Sequence, residues 1–171
     1  MMPHSGPQTA KPRFLFNALA SGFFISYLPT RLLKNRKCTG AGLLGSLEAL
    51  LLVPLLPANP IHLAVFLLAF TAFAIWVAAN SSFTQGPAHD NPRIVIDEII
   101  GYWWACAFLP RTLTALLSAF VLFRFLDTVK PFYIDRLDKM PGAAGVVLDD
   151  VASGIASNLL VRAGMLCAAY L

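Results

Sequence analysis

Between Leu63 and Ala79 the chain carries no charged side chain. With Ile61 and His62 this stretch approaches the roughly 20 residues that an α-helix needs to cross a bilayer. Shorter apolar runs cover residues 14–28, 43–56, 99–109, 113–123 and 155–171. Apolar helices of about 10 to 14 residues suit a buried core or a membrane interface equally well. Of the 171 residues, 57% are hydrophobic and 13% charged. The expected fold is therefore all-α: one compact bundle of about six helices over residues 14–171, integral to a membrane or closely associated with one, behind a polar, flexible tail over residues 1–13. A soluble but very apolar helical domain is the alternative.

The tail, MMPHSGPQTAKPR, leads into an apolar run that ends in LPTRLLKNRK and not in a small-residue cleavage site, so no cleaved signal peptide is expected. Cys38, Cys106 and Cys167 are widely spaced and odd in number, and indicate neither a disulfide framework nor a zinc site. The net charge of +4 is concentrated. Arg31, Lys34, Arg36 and Lys37 crowd one connection, and Arg124, Lys130, Arg136 and Lys139 another. Basic connections beside apolar helices stay on the cytoplasmic side and attract anionic head groups at about 1 kcal/mol per charge. No aromatic-interleaved basic patch points to nucleic acid. The expected partners are a membrane and its anionic phospholipids.

Five of the nine carboxylates stand at the edges of apolar runs, in three clusters: Asp97 and Glu98 in IVIDEIIG, Asp127 in FRFLDTVKP, and Asp149 and Asp150 in VVLDDVASGI. An ionised carboxylate left unpaired in an apolar setting is costly, and a divalent cation is the simplest single partner for all of them. Helices are expected over 61–79, from about 95 to 110, from 112 to about 128 and from about 146 onward, with an uncharged Pro turn over 56–60 on the far side. In that layout the 30–42 connection and all three acid clusters fall on one, cytoplasmic, side. Lys11 and Arg13, and Arg162 within the last apolar run, do not fit it.

Asp150, Gly154 and Asn158 recur every four residues, as do Asp149, Ser153 and Ser157, and Asp97 is followed four residues later by Gly101. Small residues one turn from an acid let a second helix come close. Arg124, Asp127 and Lys130 step by three and share neighbouring helix faces. A salt bridge within a helix accounts for Arg124 and Asp127 taken alone, and N-capping for each acid pair taken alone. Three such sites in one apolar chain favour a shared cation site.

Other phosphate chemistries lack their motifs. Cys106 is preceded by Ala105 and followed by Arg111, which is not the loop of a cysteine phosphatase. There is no DxDx nucleophile motif, no Ser–His pairing and no G-x-x-x-x-G-K-[ST] loop, and His4, His62 and His89 are isolated. Oxygen-ligated metal chemistry remains.

The strings GSL (Gly45 to Leu47), HDNPRIVIDEIIG (His89 to Gly101), FRFLDTVKPFYI (Phe123 to Ile134) and VVLDDVASGI (Val146 to Ile155) resemble, in order and approximate spacing, the phosphatidylglycerophosphatase A family, over about residues 15–165. The resemblance implies a helical, magnesium-dependent lipid phosphatase of the bacterial inner membrane. Such an enzyme converts phosphatidylglycerophosphate into phosphatidylglycerol and phosphate on the cytoplasmic side. The match places Asp97, Glu98, Asp127, Asp149 and Asp150 at the family's acidic positions, as catalytic residues that hold Mg²⁺, with Asp90 behind them. Arg124 falls on the Arg of the family's FR, and Lys130 and Pro131 on its KP. Where the family reads Pro-Gly-Thr-x-Gly-Ser, this chain reads Ala41-Gly42-Leu43-Leu44-Gly45-Ser46. The Thr hydroxyl is thus missing unless Thr39 or Ser46 replaces it.

On this reading the five acids hold one or two Mg²⁺ ions. Arg124 and Lys130 neutralise the phosphate, the first as a fork and the second as a point charge. Backbone N–H groups near Gly45 and Ser46 approach the same group. The alternatives are phosphatidic acid or a soluble phosphate ester as substrate, or a non-enzymatic membrane carrier or partner. A carrier predicts acids spread through the membrane depth and an internal repeat; the sequence shows neither.

Overall fold

The computed structural model describes residues 10–28, 40–83, 91 and 93–170. Among the described residues there are seven α-helices and no strand: α1 (Ala10–Ala20), α2 (Ala41–Leu52), α3 (Pro60–Asn80), α4 (Ile96–Cys106), α5 (Leu113–Val129), α6 (Tyr133–Asp138) and α7 (Ala143–Ala169). A 3-10 turn over Val53–Leu55 follows α2. The all-α architecture expected from the hydropathy is present, with differences at the ends. α1 begins at Ala10, inside the stretch read as a polar tail, and carries Pro12 in its first turn, where the missing N–H removes no helical bond. α7 begins at Ala143, ahead of Val146, and α4 stops at Cys106, short of Pro110. The additional element is α6, a single short helix in what reads as a connector.

The bundle is built around α4. Of its eleven residues only Glu98 and Trp104 are partly exposed, so it has no polar face to turn outward. It packs against α2, α3, α5 and α7, and a polar bond fixes each neighbour. The Trp103 indole donates to the Ala49 carbonyl of α2 (3.0 Å), the Trp104 indole to Thr71 Oγ1 of α3 (3.1 Å), and the Tyr102 hydroxyl to the Leu116 carbonyl of α5 (3.0 Å). From α7, Asn158 Nδ2 donates to the Ala105 and Ala107 carbonyls at 2.9 and 2.8 Å. Arg162 Nη2 adds bonds to the Ala107 and Phe108 carbonyls at 3.2 and 3.0 Å, with its Nε on Asn158 Oδ1. A helix end leaves such carbonyls open, and a guanidinium suits its partial negative charge. Arg162, which fits no part of the sequence layout, thus closes the C-terminal end of α4, and this is where the chain leaves the helix.

α4 and α7 cross at backbone contact. A methyl group on Gly154 would fall on the Gly101 carbonyl, and one on Gly101 would lie 2.8 Å from the Asp150 carbonyl oxygen and from the Phe123 ring. The small residues expected to permit a close approach therefore mark the crossing itself. Asp97 and Asp150 each sit one turn upstream of it.

α3 and α7 are long and apolar enough to cross a bilayer. Asn59 caps α3, its side chain accepting from the N–H groups of Ile61 and His62 at 2.9 and 3.2 Å. Ile61, Val65, Leu68 and Trp76 of α3 are all more than half exposed, a row of large apolar side chains of the kind that lipid covers. α4 is about 16 Å long at 1.5 Å per residue and does not reach across.

Candidate active site

Three helices deliver their acids to one end of the bundle. α4 contributes Asp97 and Glu98 from its first turn, α5 contributes Asp127 from its last, and α7 contributes Asp149 and Asp150 from beyond its first. One oxygen each from Asp97, Glu98 and Asp150 lie within 4.8 Å of one another, and the same holds for Asp127, Asp149 and Asp150. Asp150 belongs to both groups.

Helix capping explains only part of this. Asp97 and Glu98 stand at the positive end of α4, where acids are favoured, and Asp97 Oδ1 accepts from the Glu98 N–H at 3.0 Å. Asp149 and Asp150 lie past the capping positions of α7. Asp127 stands at the negative end of α5, where the helix dipole opposes a carboxylate. Its place there needs a cation.

Two side-chain cations meet these acids. Arg124 Nη1 pairs with Asp127 Oδ2 at 3.0 Å and donates to Ser46 Oγ at 3.2 Å, while Ser46 Oγ donates to the Gly42 carbonyl at 2.9 Å. Lys130 Nζ bridges Asp149 Oδ2 at 2.6 Å and Asp138 Oδ1 at 2.5 Å. Two oxygens in the cluster, Glu98 Oε2 and Asp149 Oδ1, are buried without a hydrogen-bond partner. Buried polar atoms are nearly always satisfied, so carboxylate oxygens left open inside two overlapping groups suit a hard divalent cation such as Mg²⁺. Burial, followed by the charge and hydrogen bond of Asp97 and the charge of Asp127, pushes the Glu98 carboxyl well above the ordinary range, against the pull of Arg124. Burial lowers the Lys130 ammonium, but its bonds to Asp138 and Asp149 outweigh that and hold it raised.

The first turn of α2 closes one side. A methyl group on Gly42 would fall on the Glu98 carboxylate, with Arg124 Nη2 3.1 Å away, and one on Gly45 would press on Val95 Cβ at 2.8 Å. These glycines let α2 lie against Glu98 and Arg124. Ser46 is the one hydroxyl in the 41–46 stretch, and it is spent on Arg124. Asp90 and Thr39 lie outside the described residues.

The structure therefore brings together all five acids, Arg124, Lys130 and Ser46, with Gly45 behind them at the contact with Val95. It adds Asp138, which the sequence does not single out because it stands in a mixed-charge run with Asp135, Arg136 and Lys139. Lys130 takes a left-handed backbone conformation and Phe132 a second positive φ, at 46° and 50°, and these turn the chain back on itself. Gly145 lets the end of α6 settle on α7, since a methyl group there would fall on the Met140 carbonyl. A second unannounced carboxylate is Glu48 of α2, whose buried Oε2 has no hydrogen-bond partner and lies against Gly22. No spacing in the sequence marks it.

The sequence profile of a family described as phosphatidylglycerophosphatase A matches residues 18–165. The chain is 31% identical over 156 residues to a Bacteroides thetaiotaomicron protein named provisionally as a phosphatidylinositol-3-phosphatase, covering 88% of this chain and 94% of that one. It is 32% identical over 131 residues to the phosphatidylglycerophosphatase A of Haemophilus influenzae, covering 73% and 76% of the two chains. With the Escherichia coli protein of the same name it shares 33% identity over 121 residues, covering 68% and 69%. No solved structure matches the chain.

Proposed function

The chain belongs to the phosphatidylglycerophosphatase A family, and on that premise we propose that it is a Mg²⁺-dependent phosphatase that converts phosphatidylglycerophosphate into phosphatidylglycerol and inorganic phosphate at the cytoplasmic face of a bacterial inner membrane. The observation that carries this reading is the pair of acidic groups sharing Asp150, with two buried carboxylate oxygens left open between them. Asp97, Glu98, Asp127, Asp149 and Asp150 would hold one or two Mg²⁺ ions. The ion supplies neutralisation of the phosphate dianion and activation of water.

The chain's own residues do the rest. Asp127 and Ser46 aim the Arg124 guanidinium, which offers its remaining N–H groups to the phosphoryl oxygens as a planar fork. The first turn of α2 brings the positive end of a helix to the same place, a setting that favours phosphate. The basic connection over 31–37 supports a cytoplasmic orientation, and the apolar outer face of α3 supports acyl chains that stay in the bilayer while the head group enters from the interface.

A second substrate has a specific observation in its favour. The Bacteroides relative matches over nearly its whole length and is named for a phosphorylated inositol lipid, so the same acids would serve a phosphoinositide. Phosphate release by the detergent-solubilised protein, with Mg²⁺ or with excess chelator, separates the readings. The substrates compared are phosphatidylglycerophosphate, phosphatidylinositol 3-phosphate, phosphatidic acid and glycerol 3-phosphate. Mg²⁺-dependent release from the first is expected. Preferential release from the second moves the substrate to the inositol lipid, and release from none by a folded protein overturns the proposed substrates.

A further inference from the structure

Lys130 has two carboxylates for one ammonium, and they are unlike. Asp149 is 2% exposed and keeps its second oxygen open inside the acidic cluster. Asp138 sits at the rim, its side chain 37% exposed, and reaches the cluster through its bond to Lys130 Nζ. We infer that Asp138 is a positioning residue that holds the Lys130 ammonium when Asp149 is given over to a divalent cation. The inference rests on the metal reading of the acidic site and names a residue that this reading does not otherwise use.

The backbone argues for a tether. The Lys130 N–H is bonded to the Leu126 carbonyl at 2.7 Å, its φ is left-handed, and Pro131 follows. The base of the side chain is therefore fixed, and only the ammonium can choose among partners. A cation entering the group formed by Asp127, Asp149 and Asp150 competes with Lys130 for Asp149. With Asp138 present, the displaced ammonium keeps a counter-ion 2.5 Å away. Without it, a partly buried ammonium would stand unpaired beside a divalent cation, which is costly. The end of α6 is placed for this duty by the contact at Gly145, where α7 has no side chain in the way of the Met140 and Leu137 carbonyls.

The test is a direct metal titration of the full chain in detergent, following free Mn²⁺ by its electron paramagnetic resonance signal. Asp138→Asn is expected to raise the Mn²⁺ dissociation constant by about tenfold, the range seen when residues that support metal ligands are removed, and Asp138→Glu to restore most of the loss. In a Lys130→Met background the same Asp138→Asn change is expected to shift the constant by less than about twofold, because the ammonium it serves is gone. A wild-type titration in the Asp138→Asn protein overturns the inference, and so does an equal loss with and without Lys130. If the wild-type protein binds no Mn²⁺ at all, the metal reading falls and takes the role of Asp138 with it. If the wild type binds and only the Asp138 variants behave as wild type, the metal reading stands and Asp138 is a surface ion pair.

Discussion

Gly101 and Gly154 meet where α4 crosses α7, so closely that a methyl group on Gly154 would take the place of the Gly101 carbonyl oxygen. This contact, made by two residues without side chains, sets how far Asp97 and Glu98 stand from Asp150. Gly154→Val is therefore expected to push the helices apart, costing about 1–3 kcal/mol of stability and at least about 100-fold in phosphate release through misplacement of the acids. Thermal unfolding and the Mg²⁺-dependent assay check both. A Gly154→Val protein with wild-type activity would show that the crossing does not set the site.

Asp150 lies in both acidic groups, whereas Asp127 lies in one. Mg²⁺ is expected to raise the melting temperature of the wild type, and Asp150→Asn to abolish both that rise and phosphate release. Asp127→Asn should keep part of that rise. In metal-free buffer, Asp150→Asn removes an ionisable group from among like-charged neighbours and should be no less stable than wild type. Melting curves of the three proteins with Mg²⁺ and with chelator give all four comparisons.

The Glu98 carboxyl is raised by burial and by Asp97, so the folded, metal-free protein holds this proton more tightly than the unfolded chain does. Stability then increases as the pH falls through the folded value towards the unfolded one near 4.5. The metal-free melting temperature is expected to rise by a few degrees between neutral pH and about pH 5. In saturating Mg²⁺ the dependence should invert, because protons then compete with the ion for the same oxygens. A metal-free profile that falls on acidification would contradict the assignment.

Arg162 and Asn158 bind the carbonyls at the end of α4 opposite Asp97. Arg162→Leu should cost about 1–3 kcal/mol by removing the charge-assisted bonds to the Ala107 and Phe108 carbonyls and to Asn158 Oδ1, with the Mn²⁺ dissociation constant unchanged. A change in metal affinity of the folded protein would mean that this end of α4 communicates with the acids.

The sequence exposed the acids because charge is conspicuous in an apolar chain, and it exposed the crossing because Gly101 and Gly154 each follow an acid by one turn. The helical layout was legible for α3, α4, α5 and α7 for the same reason, since apolar runs separated by Pro and Gly leave few other choices, whereas the short, charged α6 was not. What the sequence hid depends on where the chain bends. Asp138 reaches Lys130 only because Lys130 and Phe132 adopt conformations that no local rule assigns to lysine or phenylalanine. Arg162 looked misplaced because its partners are carbonyls some fifty residues away, and backbone acceptors leave no mark on a sequence. Ala10 to Arg13 read as tail because Lys, Pro and Arg outweigh one alanine, although the first turn of a helix tolerates them all.

The left-handed turn at Lys130 has a practical consequence. A non-glycine residue in that conformation carries about 1–2 kcal/mol of strain, and glycine would relieve it. Glycine would also remove the ammonium that faces Asp149 and Asp138, and a buried carboxylate left without its cation costs about 3–5 kcal/mol, more than the strain released. At this position the residue preferred by the backbone and the residue required by the acids are different. Lysine therefore keeps a backbone that glycine would fill more easily, and a Lys130→Gly protein should melt earlier than wild type, because the acids hold the residue there against the local preference of the chain.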